Sequence, residues 1–272
     1  MFNKKNNLNS NNFSLFNNEY LNINPNFKIA RYINKEGYLI IDSQNGHNFH
    51  DEGTVNKHVS SKSWLSFSEN WNRLSKDEFM KDGGTYRFRR HSVFIAEKND
   101  LNFTERPKIS HFQSVGNNKL NGGIERWFDP IETEIINNEA FNYLLKSCLS
   151  IFNKVADEDL SNKIWNKWFI EAHQFRIVAR SNIVGLPTHE GVHDDGVCYI
   201  FMLVVNRYNV TGGISSIYDK NKTLLKSQLL YDGECAYLND KDLMHGVSAI
   251  ECVDKNKDGN RDVFVLTFKR CL

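Results

Sequence analysis

Proline is scarce in this chain, with four in 272 residues, and long apolar runs are absent: the longest, Val197 to Val205, has nine residues. A membrane helix needs about twenty, so no span is expected. Charge of one sign is also missing, because 34 Lys and Arg face 33 Asp and Glu for a net charge of +1. That balance excludes the broad cationic field on which nonspecific nucleic-acid binding depends. The five cysteines (Cys148, Cys198, Cys235, Cys252, Cys271) are odd in number, far apart and never spaced C-x-x-C. Reduced thiols are expected rather than a disulfide frame or a zinc ribbon. No apolar block follows Lys4 and Lys5, so a secretory signal is not expected and the chain reads as cytoplasmic.

What is abundant is asparagine at the start, with eleven between residues 1 and 26, a composition expected to be mobile or irregular. From residue 27 to 272 no Pro/Gly/Ser linker, repeat or charge block marks a boundary, so one folded domain is expected. Phe141, Leu144, Leu145, Cys148, Phe152 and Val155 recur at three- and four-residue steps after Asn138, which predicts an N-capped amphipathic helix over 138–155. Trp64, Phe67, Trp71, Leu74 and Met80 predict a second helix over about 63–80. Beyond Ile164 the texture changes to seven short β-branched or aromatic runs: 171–180, 196–206, 214–219, 227–230, 234–238, 246–251 and 262–270. Their spacing points to a mostly β sandwich or jelly roll with flanking helices, its core mainly in 165–272. The run 171–180 alternates, with His173, Phe175 and Ile177 on one face and Gln174, Arg176 and Arg180 on the other; the polar face meets water or lines a pocket.

The densest chemistry lies in Thr188-His189-Glu190-Gly191-Val192-His193-Asp194-Asp195-Gly196. Residues 189–193 spell H-E-x-x-H, which on a helix would hold zinc. Gly191 and Gly196 oppose a helix there, and no third zinc ligand follows nearby. His193 and Asp195 also form H-x-D, with His245 a third candidate 52 residues on. Two imidazoles and one carboxylate on one face suit a non-haem Fe(II) centre with open positions, and ligands two apart suit extended chain. Arg261 opens an apolar strand, where its planar fork suits a dicarboxylate or simply reaches water. Arg176 is open between a substrate carboxylate and a structural ion pair, and Glu190 between a substrate amine and a solvated loop. His47 to Asp51 reads as a surface loop. Asp254, Asn256 and Asp258 mimic half of a calcium loop but lack its closing Glu, so a β-hairpin turn is expected.

Taken in order, Glu190-Gly191-Val192-His193-Asp194-Asp195-Gly196, Asn209-Val210-Thr211-Gly212-Gly213, Met244-His245-Gly246-Val247 and Gly259-Asn260-Arg261-Asp262-Val263 resemble the blocks of the bacterial 2-oxoglutarate/Fe(II) dioxygenase family that includes isoleucine 4-hydroxylase. The resemblance covers about residues 85 to 270, and Arg87-Phe88-Arg89-Arg90 is similar to the family's basic strand. It implies a double-stranded β-helix, Fe(II) on His193, Asp195 and His245, and the distal carboxylate of 2-oxoglutarate on Arg261. It further implies hydroxylation of a free L-amino acid by O2, with succinate and CO2 as co-products and ascorbate supporting activity. Glu190 and Arg176 are then the expected partners of the amino acid's ammonium and carboxylate, with the basic residues of 87–90 as alternative carboxylate partners. A carrier-bound or peptide-linked amino acid, another small metabolite, or a noncatalytic jelly-roll binding module are the alternatives.

Overall fold

The computed structural model describes residues 25–42, 59–116, 122–159 and 164–271. The Asn-rich residues 1–24 and the His47 to Asp51 cluster lie outside them. Two helices and a strand open the described chain: α1 (Pro25–Glu36), β1 (Tyr38–Ile41) and α2 (Ser61–Glu69). β2 (Ser75–Lys76), β3 (Arg87–Glu97), β4 (Thr104–Glu105), α3 (Thr133–Ile136) and α4 (Glu139–Asp157) follow. The remainder is strand: β5 (Lys167–Ala179), β6 (Tyr199–Tyr208), β7 (Val210–Gly212), β8 (Ile214–Asp219), β9 (Leu224–Leu229), β10 (Cys235–Asn239), β11 (Leu243–Val247), β12 (Ile250–Cys252) and β13 (Gly259–Cys271).

The large antiparallel sheet runs β1-β10-β6-β13-β5-β3-β2, with β4 on β3, and the small sheets β11-β8-β9 and β12-β7 complete a jelly roll. Alternation along β13 decides which face of the large sheet does what. Phe264, Leu266 and Phe268 share one core with Phe141, Leu145 and Phe152 of α4, whereas Arg261, Val263 and Val265 face a cavity. Phe152 stacks on Tyr199 at 4.9 Å, and Phe264 lies 5.6 Å from Phe141. A buried aromatic of this kind contributes roughly 1.5–3 kcal/mol through area alone, so α4 fixes the sheet's outer face. Its start is set locally, since the Asn138 side chain accepts from Ala140 N at 2.7 Å. Among the described residues no helix is long and apolar enough to cross a membrane.

Three expectations need correction. The helix predicted over about 63–80 ends at Glu69 and tightens into a 3-10 turn, Asn70–Arg73, before β2. Tertiary hydrogen bonds intervene there: Asn70 donates to Glu132 Oε2 at 2.7 Å and accepts from Gln174 Nε2 at 2.8 Å, while Trp71 Nε1 donates to Phe175 O at 3.0 Å. The run 246–251 is not one strand, because the chain leaves β11 for another sheet at Ser248, whose hydroxyl accepts from Ile214 N. The turn after Cys252 likewise joins β12 to β13 in different sheets, so it is no hairpin.

Candidate metal centre and its cavity

His193 and Asp195 lie on the loop between β5 and β6, and His245 sits in β11. Backbone pairing brings them together: His193 N donates to His245 O at 3.0 Å and His245 N to His193 O at 2.8 Å. Thr188 clamps the same loop, its hydroxyl donating to Val247 O and accepting from Val247 N. Asp240 accepts from the backbone N–H groups of Asp195 and Val197, which holds the H-x-D turn from the other side. The ligand atoms of His193, Asp195 and His245 consequently all lie within 4.8 Å of one another.

The donor set suits a metal. His193 Nδ1 donates to Gly191 O at 3.0 Å, so its Nε2 faces Asp195 Oδ1, 3.6 Å away; burial would lower this imidazole, but the Asp195 hydrogen bond and the Asp195 and Glu190 charges raise it to about 9. His245 Nε2 is 3.9 Å from Asp195 Oδ2. Burial and the neighbouring His193 charge hold the His245 imidazole neutral, down to about 4, although Asp195 pulls the other way. Two imidazoles and a carboxylate on one side form an HxD…H metal site. Asp194 points elsewhere, bonded to Lys220 Nζ at 3.0 Å.

The trio lines a cavity of about 270 Å³ that also contains Arg261. Arg261 is buried, and its Nε and Nη2 have no hydrogen-bond partner. Burial, reinforced by the Arg207 charge and opposed by Asp262, pushes its guanidinium down to about 9. Arg207 is the cross-strand partner of Arg261, and a Cβ on Gly213 would come within 2.8 Å of Arg207 Nη1 and 3.0 Å of Arg261 Cδ. Gly213, at φ +70°, is therefore what lets both side chains pass. The buried Arg261, with its unsatisfied donors and the half-buried Arg207 beside it, suits a carboxylate arriving from the cavity.

Other candidates fall differently. Arg176 does not reach the cavity: it is on the opposite face of β5, where Nε and Nη2 make a fork with the two oxygens of Asp262 at 2.7 and 2.8 Å. The cavity face of β5 is the one with His173, Phe175 and Ile177, so the face with two arginines packs outward. Residues 188–191 form a turn with Gly191 at φ +81°, which denies H-E-x-x-H the helix that zinc peptidases require. Glu190 does line the cavity, with Oε1 3.6 Å from His193 Nε2 and Oε2 2.8 Å from His189 Nδ1. Burial would raise its carboxyl, but the His189 hydrogen bond and the His193 charge outweigh that and bring it to about 2.

On the opposite wall the basic segment 87–90 supplies Arg87 and Arg89, as the resemblance suggested, whereas sequence reasoning missed the residues around them. Arg87, Arg89 and His91 alternate on the inner face of β3, facing Ile177, Phe175 and His173 across the ladder. His91 Nε2 and His111 Nδ1 both bond Glu171 Oε1, at 3.0 and 2.8 Å, and Arg89 Nη2 meets His173 Nδ1 at 2.8 Å. His91, His111, Glu171 and His173 are close enough to hold a second metal, but His91 and His173 stack at 4.7 Å and Glu171 is already satisfied by two imidazoles, so they form a closed hydrogen-bond network. Gln113 was also missed; it donates to Asp195 Oδ1 at 3.0 Å and accepts from Arg126 Nη2 at 2.8 Å. The period-two pattern R-x-R-x-H in 87–91 was the available signal.

Comparison with known proteins agrees with this geometry. Residues 68–267 match the family described as 2OG-Fe dioxygenase, and the chain belongs to that family. It is a 2-oxoglutarate/Fe(II) dioxygenase with the jelly-roll fold of those enzymes. Among solved structures it is similar to a bsmA homolog from Methylobium petroleophilum PM1, at 26% identity over 90% of this chain and 92% of that one, with a TM-score of 0.75. It shares its fold with IDO from Bacillus thuringiensis, at 17% identity, coverage of 92% and 97%, and a TM-score of 0.68. The same holds for the Fe(II)/(alpha)ketoglutarate-dependent dioxygenase TqaL, at 17% identity, coverage of 91% and 90%, and a TM-score of 0.66. Among proteins with curated descriptions, none matches the sequence.

Proposed function

We propose that this enzyme hydroxylates an unactivated C–H of a free L-amino acid, with His193, Asp195 and His245 holding Fe(II) and Arg261 holding 2-oxoglutarate. The observation that carries the reading is that the donor trio and the unsatisfied Arg261 line one cavity. Fe(II) bound by the trio supplies, with 2-oxoglutarate and O2, the oxidising power for C–H hydroxylation, leaving succinate and CO2.

The chain's own part is positioning. The Gly191 carbonyl keeps His193 in the tautomer whose Nε2 faces the metal. Arg261 offers a two-pronged grip for the distal carboxylate of the cosubstrate, and Met202, Val263 and Val265 give its methylenes an apolar wall that keeps water out. Glu190, ionised beside the trio, suits an α-ammonium. All five cysteines are free thiols, in keeping with a cytoplasmic enzyme.

The test is a panel of free L-amino acids incubated with the protein, Fe(II), 2-oxoglutarate, O2 and ascorbate, read by mass spectrometry. A gain of one oxygen with matching succinate is expected for a free amino acid. Efficient turnover of N-acetylated, amidated or peptide-linked forms instead would overturn the free-amino-acid reading and favour a carrier-bound or peptide substrate. Absence of any iron-dependent succinate formation with every substrate would favour a noncatalytic binding module.

A further inference from the structure

The cavity contains a second group of cations that the iron and cosubstrate sites leave unused. Arg87 and Arg89 project from the inner face of β3, and Arg126 joins them from the segment that bridges to His111. They are only 5%, 3% and 2% exposed, respectively, yet each retains a buried donor without a partner: Arg87 Nη2, Arg89 Nε and Arg126 Nε.

The nearby acids do not meet this demand. Asp77 is engaged by Arg87 Nε at 2.7 Å. Glu171 accepts from His91 and His111, and Glu190 sits at the metal end against His189 and His193. Arg89 lies between the rings of Phe128 and Phe175, 3.8 and 4.4 Å from their centroids, and Arg126 bonds the neutral amide of Gln113. Among the described residues neither Arg89 nor Arg126 has an ion-pair partner. Burying guanidiniums this way is costly unless a ligand completes the pairing, and a single carboxylate, with about four lone-pair sites, can accept all three spare N–H groups.

These cations are rooted apart from Arg261. Cross-strand register puts Arg87, Ile177 and Arg261 in one row, so Arg87 and Arg261 start from backbones two strands apart, about 10 Å. The chamber therefore has two separate oxyanion ends. Gln113 ties the second end to the metal by donating to Asp195 and accepting from Arg126, and Glu190 lies on the metal side.

We propose that Arg87, Arg89 and Arg126 form an oxyanion site that takes the carboxylate of the primary substrate, while Arg261 takes that of the cosubstrate. The inference rests on the reading of the chain as a free-amino-acid dioxygenase and names the part of the substrate this wall recognises.

The experiment uses the Fe(II)-loaded protein with 2-oxoglutarate under nitrogen, whose visible metal-to-ligand absorption reports cosubstrate binding and whose shift on adding an amino acid reports substrate binding. Wild type is expected to bind the free acid at least tenfold more tightly than its α-amide. Arg89→Gln and Arg126→Gln are expected to weaken the free acid tenfold or more, to erase the acid-over-amide preference, and to leave 2-oxoglutarate half-saturation within twofold. An undiminished preference in both variants, or a parallel loss of 2-oxoglutarate binding, overturns the site.

If no free amino acid binds the wild type, thermal protection by acetate at saturating 2-oxoglutarate separates the two readings. Protection of wild type but not of the variants sustains the oxyanion site while the amino-acid reading falls, and equal protection overturns the site. If the glutamine variants fail to fold, Arg126→Lys replaces them, with an intermediate loss of free-acid affinity expected; a wild type indifferent to amidation rejects the proposal.

Discussion

His193 and His245 exchange both of their backbone hydrogen bonds, at 3.0 and 2.8 Å, and their rings lie 4.5 Å apart. Two of the three metal donors are therefore set by antiparallel register, in which directly opposed residues project to the same side. Replacing either histidine by Ala is expected to abolish metal retention and succinate formation. Asp194→Asn and His91→Ala are expected to leave roughly one metal per chain, since Asp194 bonds Lys220 and His91 belongs to the Glu171 network. Metal analysis after dialysis decides this, and a His245→Ala protein that keeps its metal would reject the assignment.

Gln113 supplies an N–H to Asp195 Oδ1. Outer partners of this kind orient a ligating carboxylate, and their loss typically costs about 10- to 100-fold in metal affinity. Gln113→Leu keeps the bulk and removes the donor, so Co(II) titration should show a loss in that range. Unchanged affinity would show that Asp240 and the histidine bridge hold Asp195 without help.

Arg261→Gln is expected to cost about 1.5–3 kcal/mol of charge-assisted hydrogen bonding, roughly a ten- to hundredfold rise in the 2-oxoglutarate half-saturation. Gly213→Ala should move the same parameter in the same direction, because its new Cβ collides with Arg207 and Arg261 and its φ is positive. Steady-state kinetics at saturating amino acid separates this from a substrate effect. A Gly213→Ala enzyme with normal cosubstrate dependence would contradict the geometry.

The Glu171 network predicts acid sensitivity. Burial holds the His91 and His111 imidazoles below the ordinary 6.5, His111 at about 4, despite the attraction of Glu171. Between those values the unfolded chain binds protons that the folded one refuses, so stability falls as pH drops from 6.5. Glu171 adds to this lower down. Burial would raise its carboxyl, but the His111 and His91 interactions and the His173 charge hold it well below the ordinary 4.5. The stability it contributes is present above that value and is lost as pH falls through the folded pKa. Melting curves should therefore shift down from about pH 6.5 with a further limb below 4.5. Glu171→Gln should be less stable at pH 7 by about 1–3 kcal/mol and lose the lower limb. Equal stability at pH 7 would show that the imidazoles find other acceptors.

Much of this was legible in the linear chain because it depends on short-range periodicity. Steps of three and four between Phe141 and Val155, with Asn138 before them, determine α4 through its own cap and its own apolar face. The two-residue spacing of His193 and Asp195 puts both on one side of an extended segment, and Arg261 at the head of an apolar strand marks a cation that burial would leave in need of a partner. Alternation along 171–180 separates two faces but carries no sign for which is inside. That choice was made by α2 and its 3-10 turn, whose Asn70 and Trp71 bond Gln174 and the Phe175 carbonyl and so claim the Arg176 face as the outside. Arg176 then met Asp262, 86 residues away, and was removed from the site. Arg126 and Gln113 lie outside the long strands and have no period to read; only the bridge between His111 and Arg126 brings them to Asp195. Local spacing thus decided which residues could bind a metal or an anion, while long-range pairing across the sheet decided which of them share a cavity, because register between distant strands is fixed by packing on α4 and α2 rather than by any neighbour in sequence.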